Sequence, residues 1–383
     1  MKLFNIVLVG LAASAAAQTS NDQAFLGIFA ETHVTRIVGM KMKAMPNLPP
    51  GFKLPASVAA MMPGPPKRSL TVRLWSPSIA PDSATATLAP PPGLMVGDKL
   101  NLSLYRPQPA AATGGGTSGS GGSSSSQPPD MTIKIYWGSS PTVQPGQPKE
   151  FNLGTLTPEQ QMAMGKSMQK GMSAMHMGKE QGNYFYKTGW TTGYWPGDSD
   201  TVAIPDGASL AGTFNLETNY TGNVSIDAPA GVDFLPGIEM TSPDLGQKID
   251  FSGPINFQWN ALPNAIGQFA TIVGIQDKHT IIIWSSSEVY VDQLMADMGY
   301  MQMSEVKDSV SKKIFLPGDA TSMTVPAGIF ADADGSFMTM VAYGPGNAKD
   351  TAQPIPRIQT KSTLMLLLGG KKGGPRPSGD GKR

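Results

Sequence analysis

Apolar and polar residues alternate along several short stretches of the chain. The stretch "SLTVRLWS" places Leu70, Val72 and Leu74 on one face and polar residues on the other. The stretches "DKLNLSLYRP" and "MTIKIYWG" show the same two-residue period. This period is typical of a half-buried β-strand, so each stretch predicts a strand.

The second half of the chain continues this pattern. Gly253–Ile275, "GPINFQWNALPNAIGQFATIVGI", predicts two strands about a Pro-Asn turn, with Phe257 and Trp259 on the same side. We expect Trp259 to lie in a core between sheets, because a large ring buries more apolar area than any other side chain. The stretches "HTIIIWSSS", "SMTVPAGIF" and "GSFMTMVAYGPG" predict further strands.

A helix is predicted from about Pro158 to Met177, in "LTPEQQMAMGKSMQKGMSAMHMG", with Thr157 as its N-cap. The stretch "VDQLMADMGYMQMSEVKDSV" also has some helical character. The predicted fold class is therefore mainly β: two β-sandwich-like domains with one short Met-rich helix, a disordered loop and a disordered tail.

Composition suggests where the domains begin and end. Residues 18–66 are interpreted as an extended N-terminal lead-in: "AFLGIFAETHVTRIVGMKMKAM" could be a strand pair or a poorly formed helix, and the following "PNLPPGFKLPASVAAMMPGPP" is too rich in proline for either. An N-terminal β domain over 67–227 and a second β domain over 228–368 are predicted to follow. The Gly/Ser tract at about 107–130 predicts a disordered loop between two strands of one sheet, whose length should matter little. The basic end, 369–383, predicts a disordered tail.

The N-terminus has the pattern of a secretory signal peptide. Residues 1–17 contain Lys2, then a short apolar run, then Ala15 and Ala17 at the small-residue positions of a cleavage site. No apolar run in the sequence is long enough to predict a membrane-spanning helix. We therefore expect a secreted protein, either periplasmic or extracellular.

Cysteine content and charge exclude several classes of function. The sequence contains no cysteine, which excludes disulfides, thiolate metal sites and cysteine-based catalysis. The net charge is only +1, so nothing in the sequence indicates a nucleic-acid partner.

Part of the chain resembles known bacterial proteins. The stretch "PINFQWNALPNAIGQFATIVGI" resembles the early strands of fibronectin type III-like and immunoglobulin-like bacterial modules, in which the tryptophan packs between the sheets. Together with "YWGSSPTVQPGQP", "VPAGIF" and "VAYGP", it resembles a family of uncharacterised exported proteobacterial proteins over roughly Met131–Pro345. That resemblance implies export and a β architecture. It implies no activity, cofactor or catalytic residue, and Ser139 and Ser140 stand where the family often has a cysteine.

Catalytic motifs are not evident in the sequence. The three histidines, His33, His176 and His279, are far apart and share no metal-binding spacing. No Gly-x-Ser-x-Gly motif occurs in a strand-to-helix context. We therefore expect that the protein is not an enzyme and needs no cofactor.

The Met-rich segment has two interpretations. Met164, Met168, Met172 and Met175 surround His176, and thioether sulfur with one imidazole suits Cu(I). Their helical spacing also suits the apolar face of a helix, which is the interpretation that we favour.

Trp190, Tyr194 and Trp195 lie in a Gly-rich stretch and could form an aromatic platform for sugar rings. Alternatively, they pack at the end of the first sandwich, which we favour because exposed aromatic patches are scarce.

These observations predict a secreted or periplasmic non-catalytic protein with a binding or structural role in the cell envelope. The sequence identifies no particular envelope or extracellular partner. A Met-rich copper-binding periplasmic protein and a carbohydrate-binding module are the alternatives.

Overall fold

The computed structural model describes residues 25–39, 63–106, 131–155, 190–197, 202–291, 299, 301–348 and 356–370. In chain order the strands of this part are β1 (Phe25–Ile37), β2 (Lys67–Ser76), β3 (Ala86–Ala89), β4 (Leu100–Asn101), β5 (Ser103–Tyr105), β6 (Thr132–Trp137), β7 (Lys149–Asn152), β8 (Thr191–Trp195), β9 (Gly212–Thr218), β10 (Val224–Ala228), β11 (Met240–Ser242), β12 (Ile255–Trp259), β13 (Gly267–Gln276), β14 (Thr280–Ser285), β15 (Leu316–Pro317), β16 (Ser322–Val325), β17 (Gly335–Tyr343), β18 (Asn347–Ala348) and β19 (Arg357–Gly369). Helix α1 (Met303–Ser311) lies between β14 and β15. The predicted mainly β fold is confirmed.

Twelve strands form one large sheet, which we call the main sheet. Its order is β5-β8-β2-β1-β19-β17-β13-β14-β6-β7, with β15 paired to β13 and β18 to β19. A four-stranded sheet, β10-β9-β3-β4, and a three-stranded sheet, β11-β12-β16, pack against the same side of it. We call that side the inner face and the opposite side the outer face. The fold is therefore sandwich-like, with one large sheet facing two small ones.

Two hydrophobic cores fill the space between these layers. In the N-terminal core, Leu88 and Phe214 of the four-stranded sheet pack with Leu74 of the main sheet. In the C-terminal core, Trp259 of the three-stranded sheet packs with Trp284 of the main sheet. Trp259 is only 3% exposed, which confirms the predicted core position.

Helix α1 covers part of the outer face. Its buried residue Val306 packs with Phe269, Val341 and Tyr343 of the main sheet. The Gln302 backbone N–H donates to Glu305 Oε2 at 2.8 Å, as part of a capping box that fixes the start of the helix. The helical character expected of this stretch is thus confirmed for Met303–Ser311. No helix in the described ranges is long and apolar enough to cross a membrane.

Within residues 18–66, which the sequence analysis treats as an extended lead-in, Phe25–Ile37 forms a strand, one of the alternatives left open for this stretch. This segment is β1, a 13-residue strand in the middle of the main sheet, where it pairs with β2 and β19. Both of its faces carry buried residues, so it lacks the clean alternation of a half-buried strand.

The strands also do not separate at residue 228, where the second domain was predicted to begin. β14 pairs in parallel with β6, and β19 pairs in parallel with β1. The two predicted domains therefore share the main sheet, although each half has its own core. Pairing between distant segments leaves no periodic signal in the sequence, so the boundary could not be placed from local pattern.

The predicted loop at about 107–130 connects two strands of one sheet, since β5 and β6 both belong to the main sheet. However, β5 lies at one edge of that sheet and β6 lies next to the other edge. The predicted signal peptide, the loop itself, the Met-rich helix and residues 371–383 lie outside the described residues.

Candidate functional site

A group of interacting ionisable and hydroxyl side chains lies on the outer face, at the centre of the main sheet. Glu31, His33 and Thr35 alternate along β1, so they point to the same side. Parallel pairing places Glu31 opposite Lys361 and His33 opposite Thr363 of β19. We call these five residues the polar cluster.

Contacts within the polar cluster join the two strands. Glu31 Oε2 lies 3.5 Å from Lys361 Nζ. The Thr363 hydroxyl donates to Glu31 Oε1, so its oxygen can accept the proton of His33 Nδ1, 2.8 Å away. His33 Nε2 lies 2.9 Å from Thr35 Oγ1 and, in a neutral ring, accepts from that hydroxyl. The cluster is thus a continuous chain of polar contacts.

The cluster is mostly shielded from solvent. Lys361 and Thr363 are each 5% exposed, and Thr35 is 3% exposed. A buried ammonium group is tolerated when a carboxylate pairs with it, which is the arrangement of Lys361 and Glu31. The two hydroxyl groups that flank His33, those of Thr35 and Thr363, are both buried and therefore lie out of reach of a substrate in solution. The geometry of the cluster suits a cross-strand connection better than chemistry on a substrate.

Two buried arginines flank the cluster on the outer face. Arg73 of β2 and Arg357 of β19 lie on either side of Gly27 in the strand register. The Arg73 guanidinium lies 5.3 Å from the centre of the Tyr194 ring, and that of Arg357 lies 5.5 Å from the Phe29 ring. A Cβ at position 27 would lie 2.6 Å from the Phe29 ring, so any larger residue there would displace that ring. The first of these cation–π contacts connects β2 with β8, and the second connects β19 with β1.

The three aromatic residues considered for carbohydrate binding are not brought together on one face. Tyr194 and Trp195 are consecutive in β8 and therefore point to opposite sides of the main sheet. Tyr194 is buried, with its ring centre 5.4 Å from that of Tyr105, while Trp195 packs against the N-terminal core. Trp190 lies 5.0 Å from the Phe25 ring. The packing alternative matches these positions better than a common platform does.

The predicted copper ligands Met164, Met168, Met172, Met175 and His176 lie outside the described residues. Within the described ranges, no group of three or more His, Asp or Glu side chains is placed to hold a metal ion. The histidines there do not meet either, since His33 belongs to the polar cluster and His279 lies in the turn between β13 and β14.

The sequence analysis did not single out Glu31, Lys361 or Thr363. A local signal was present: the segments "FAETHVTRI" and "RIQTKST" both carry polar residues at alternate positions. That signal shows which residues share a side of each strand. It does not show that the two strands are neighbours.

No protein-family model matches the chain, and neither does any curated protein sequence. The function is therefore inferred from the geometry of the described residues together with the sequence.

Proposed function

We propose that the protein is exported from the cytoplasm and has a non-catalytic binding or structural role in the cell envelope. The observation that carries the non-catalytic part of this proposal is the burial of the polar cluster: Thr35, Thr363 and Lys361 are at most 5% exposed and lie in contacts across β1 and β19. A catalytic group must instead reach a substrate atom, directly or through one water.

The two cores are compatible with a role outside the cytoplasm. The chain has no cysteine, so in an oxidising compartment it must be stabilised without disulfides, by the packing of its side chains. Two cores between three sheets provide that packing. The N-terminal signal-peptide pattern supplies the route of export.

Cell fractionation tests the export half of the proposal. The full chain should be recovered outside the cytoplasm with a mass that corresponds to a start at Gln18, and it should sediment with isolated envelopes if its partner lies there. A chain that lacks residues 2–17 is the matched control and should stay in the cytoplasm. Full-length, unprocessed protein in the cytoplasm would contradict the proposal.

Stability measurements test the non-catalytic half. Catalytic groups are selected for reactivity at the expense of stability, so replacing them often stabilises a protein. We expect the opposite here: Glu31→Gln and His33→Gln should both lower the melting temperature. A rise in melting temperature for these variants would indicate an active site.

A further inference from the structure

The first and last strands of the described chain lie side by side in the middle of the main sheet. β1 and β19 are parallel over eleven paired positions, from Gly27 opposite Arg357 to Ile37 opposite Leu367. On its other edge, β19 pairs with β17 and with the two-residue strand β18. Without β19, the main sheet would consist of two separate pieces, β5-β8-β2-β1 and β17-β13-β14-β6-β7.

Both cores take side chains from these two strands. In the N-terminal core, Ile28 of β1 and Ile358 of β19 pack together with the four-stranded sheet. In the C-terminal core, Val34 of β1 packs with Leu364 and Leu366 of β19. All five side chains are at most 1% exposed. Each core therefore lacks part of its apolar side chains until β19 is in place.

The polar cluster fixes how the two strands align. A shift of one residue would turn the polar side chains of one strand towards the cores. A shift of two residues would move Glu31 opposite Gln359 or Thr363 and separate it from Lys361. Of these three alignments, only the native one pairs Glu31 with Lys361. The polar cluster therefore favours the native alignment over the two shifted ones.

We propose that β19 is a completion strand, without which neither half of the protein closes its core. The chain then stays incompletely folded until residues 357–369 have left the ribosome and can insert between β1 and β17. Long-range parallel pairing is slow to form, because loop closure over the whole chain precedes any gain from contacts. Only the consequence for export rests on the proposed function: an open chain can be threaded across a membrane, whereas a closed core resists threading.

Two shortened chains test the folding part of this proposal. One begins at Gln18 and ends after Pro356, which removes β19; its control ends after Gly370, which removes only 371–383. We expect the amides of β2 and β9 in the N-terminal core to lose protection from hydrogen exchange in the shorter chain and to keep it in the control. Protection of β2 and β9 in the chain that lacks β19 would overturn the proposal.

A circular permutant tests the consequence for export. Its order is 1–20, then 356–383, then 21–355, so the residues after the predicted cleavage site are kept, β19 precedes β1 and the composition is unchanged. Residues 371–383 and 21–24 then join the two parallel strands, and these 17 residues reach about 56 Å when extended. That length exceeds the roughly 43 Å of a 13-residue strand. In this order the N-terminal core can close before the C-terminal half is made.

Purified permutant should melt cooperatively, and in cells it should accumulate as a protease-resistant precursor while the original order is processed. Equally fast processing of a permutant that folds when purified would overturn the export consequence. If the original chain itself stays in the cytoplasm, the proposed function fails, while the shortened chains still decide whether β19 completes the fold.

Discussion

Glu31 and Lys361 stand directly opposite each other on the first and last described strands, and their carboxylate and ammonium groups are 3.5 Å apart. Their side chains are only 13% and 6% exposed. This ion pair connects the first and last described strands on the outer face of the main sheet, opposite the side on which both cores pack.

Replacing either Glu31 or Lys361 should therefore destabilise the folded protein. We expect Lys361→Met and Glu31→Gln each to lower the free energy of unfolding by about 3 kcal/mol, since each leaves the other charge buried without its partner. The double variant should lose less than the sum of the two, and urea denaturation of all four proteins measures this coupling. Lys312→Met is the control: Lys312 lies closer to its partner Asp308, at 2.7 Å, but both are exposed, so the loss should stay under about 1 kcal/mol. Equal losses for Lys361→Met and Lys312→Met would show that the cluster is not shielded as described.

Two core tryptophans should respond differently to the same substitution. Trp284 Nε1 donates to the Gly138 carbonyl at 3.1 Å, whereas Trp259 Nε1 is buried without a hydrogen-bond partner among the described residues. Trp284→Phe should therefore cost about 1 kcal/mol more than Trp259→Phe, because only the former leaves a buried carbonyl unpaired.

Complete truncation of Trp259 to Ala should cost about 3–5 kcal/mol. Ile79→Ala serves as the control in thermal melts, since Ile79 is 68% exposed. A near-zero effect of Trp259→Ala would contradict its place in the core.

Tyr220 should limit stability at high pH. Burial raises the pKa of its hydroxyl to about 12 from the ordinary value of 10.0, and Arg106 opposes this shift only in part. Above pH 10 the unfolded chain loses this proton while the folded protein keeps it, so stability should fall as the pH rises from about 10 to about 12.

Tyr220→Phe should remove the part of the loss of stability at high pH that comes from this hydroxyl. At pH 7 the substitution should be neutral or slightly stabilising, because the buried hydroxyl has no hydrogen-bond partner in the described part of the chain. Melting temperatures of both proteins at pH 7 and pH 11 provide the measurement. If the melting temperature of Tyr220→Phe falls as much between pH 7 and pH 11 as that of the original protein, the assignment of the alkaline loss to Tyr220 is wrong.

The length of the Gly/Ser connection should matter, contrary to the expectation from composition. β5 and β6 are separated by eight strand-to-strand steps, or about 38 Å. Deleting residues 110–127 would leave eight residues between Tyr105 and Thr132, which reach only about 30 Å. We expect the deletion to lower the melting temperature by several degrees. A chain in which the same 18 positions carry a shuffled Gly/Ser sequence should melt like the original, and an equal melting temperature for the deletion would contradict the strand order.

The Met-rich segment remains to be tested for copper. If its Met stripe is apolar packing, replacing Met164, Met168 and Met172 with Leu should cost under about 1.5 kcal/mol per position, because the volumes are similar. Added Cu(I) should then shift the melting temperature of neither protein. A rise confined to the original chain would favour the copper site, since Leu has no thioether sulfur.

Local pattern determined much of the secondary structure and one core position. The two-residue period of "SLTVRLWS" and "MTIKIYWG" predicts β2 and β6, and the Phe257/Trp259 pair predicts the inner side of β12. These features are local, because the side of a strand on which a residue lies depends only on its position along that strand.

Only the tertiary structure decided which strands are neighbours, and with it the candidate site. The Glu31 and Lys361 side chains meet because β1 and β19 pair across almost the whole length of the chain. Burial on both faces also removed from β1 the alternation by which a half-buried strand is recognised in a sequence. Strand pairing is set by the total burial that all segments achieve together, so no single segment carries it in its own sequence.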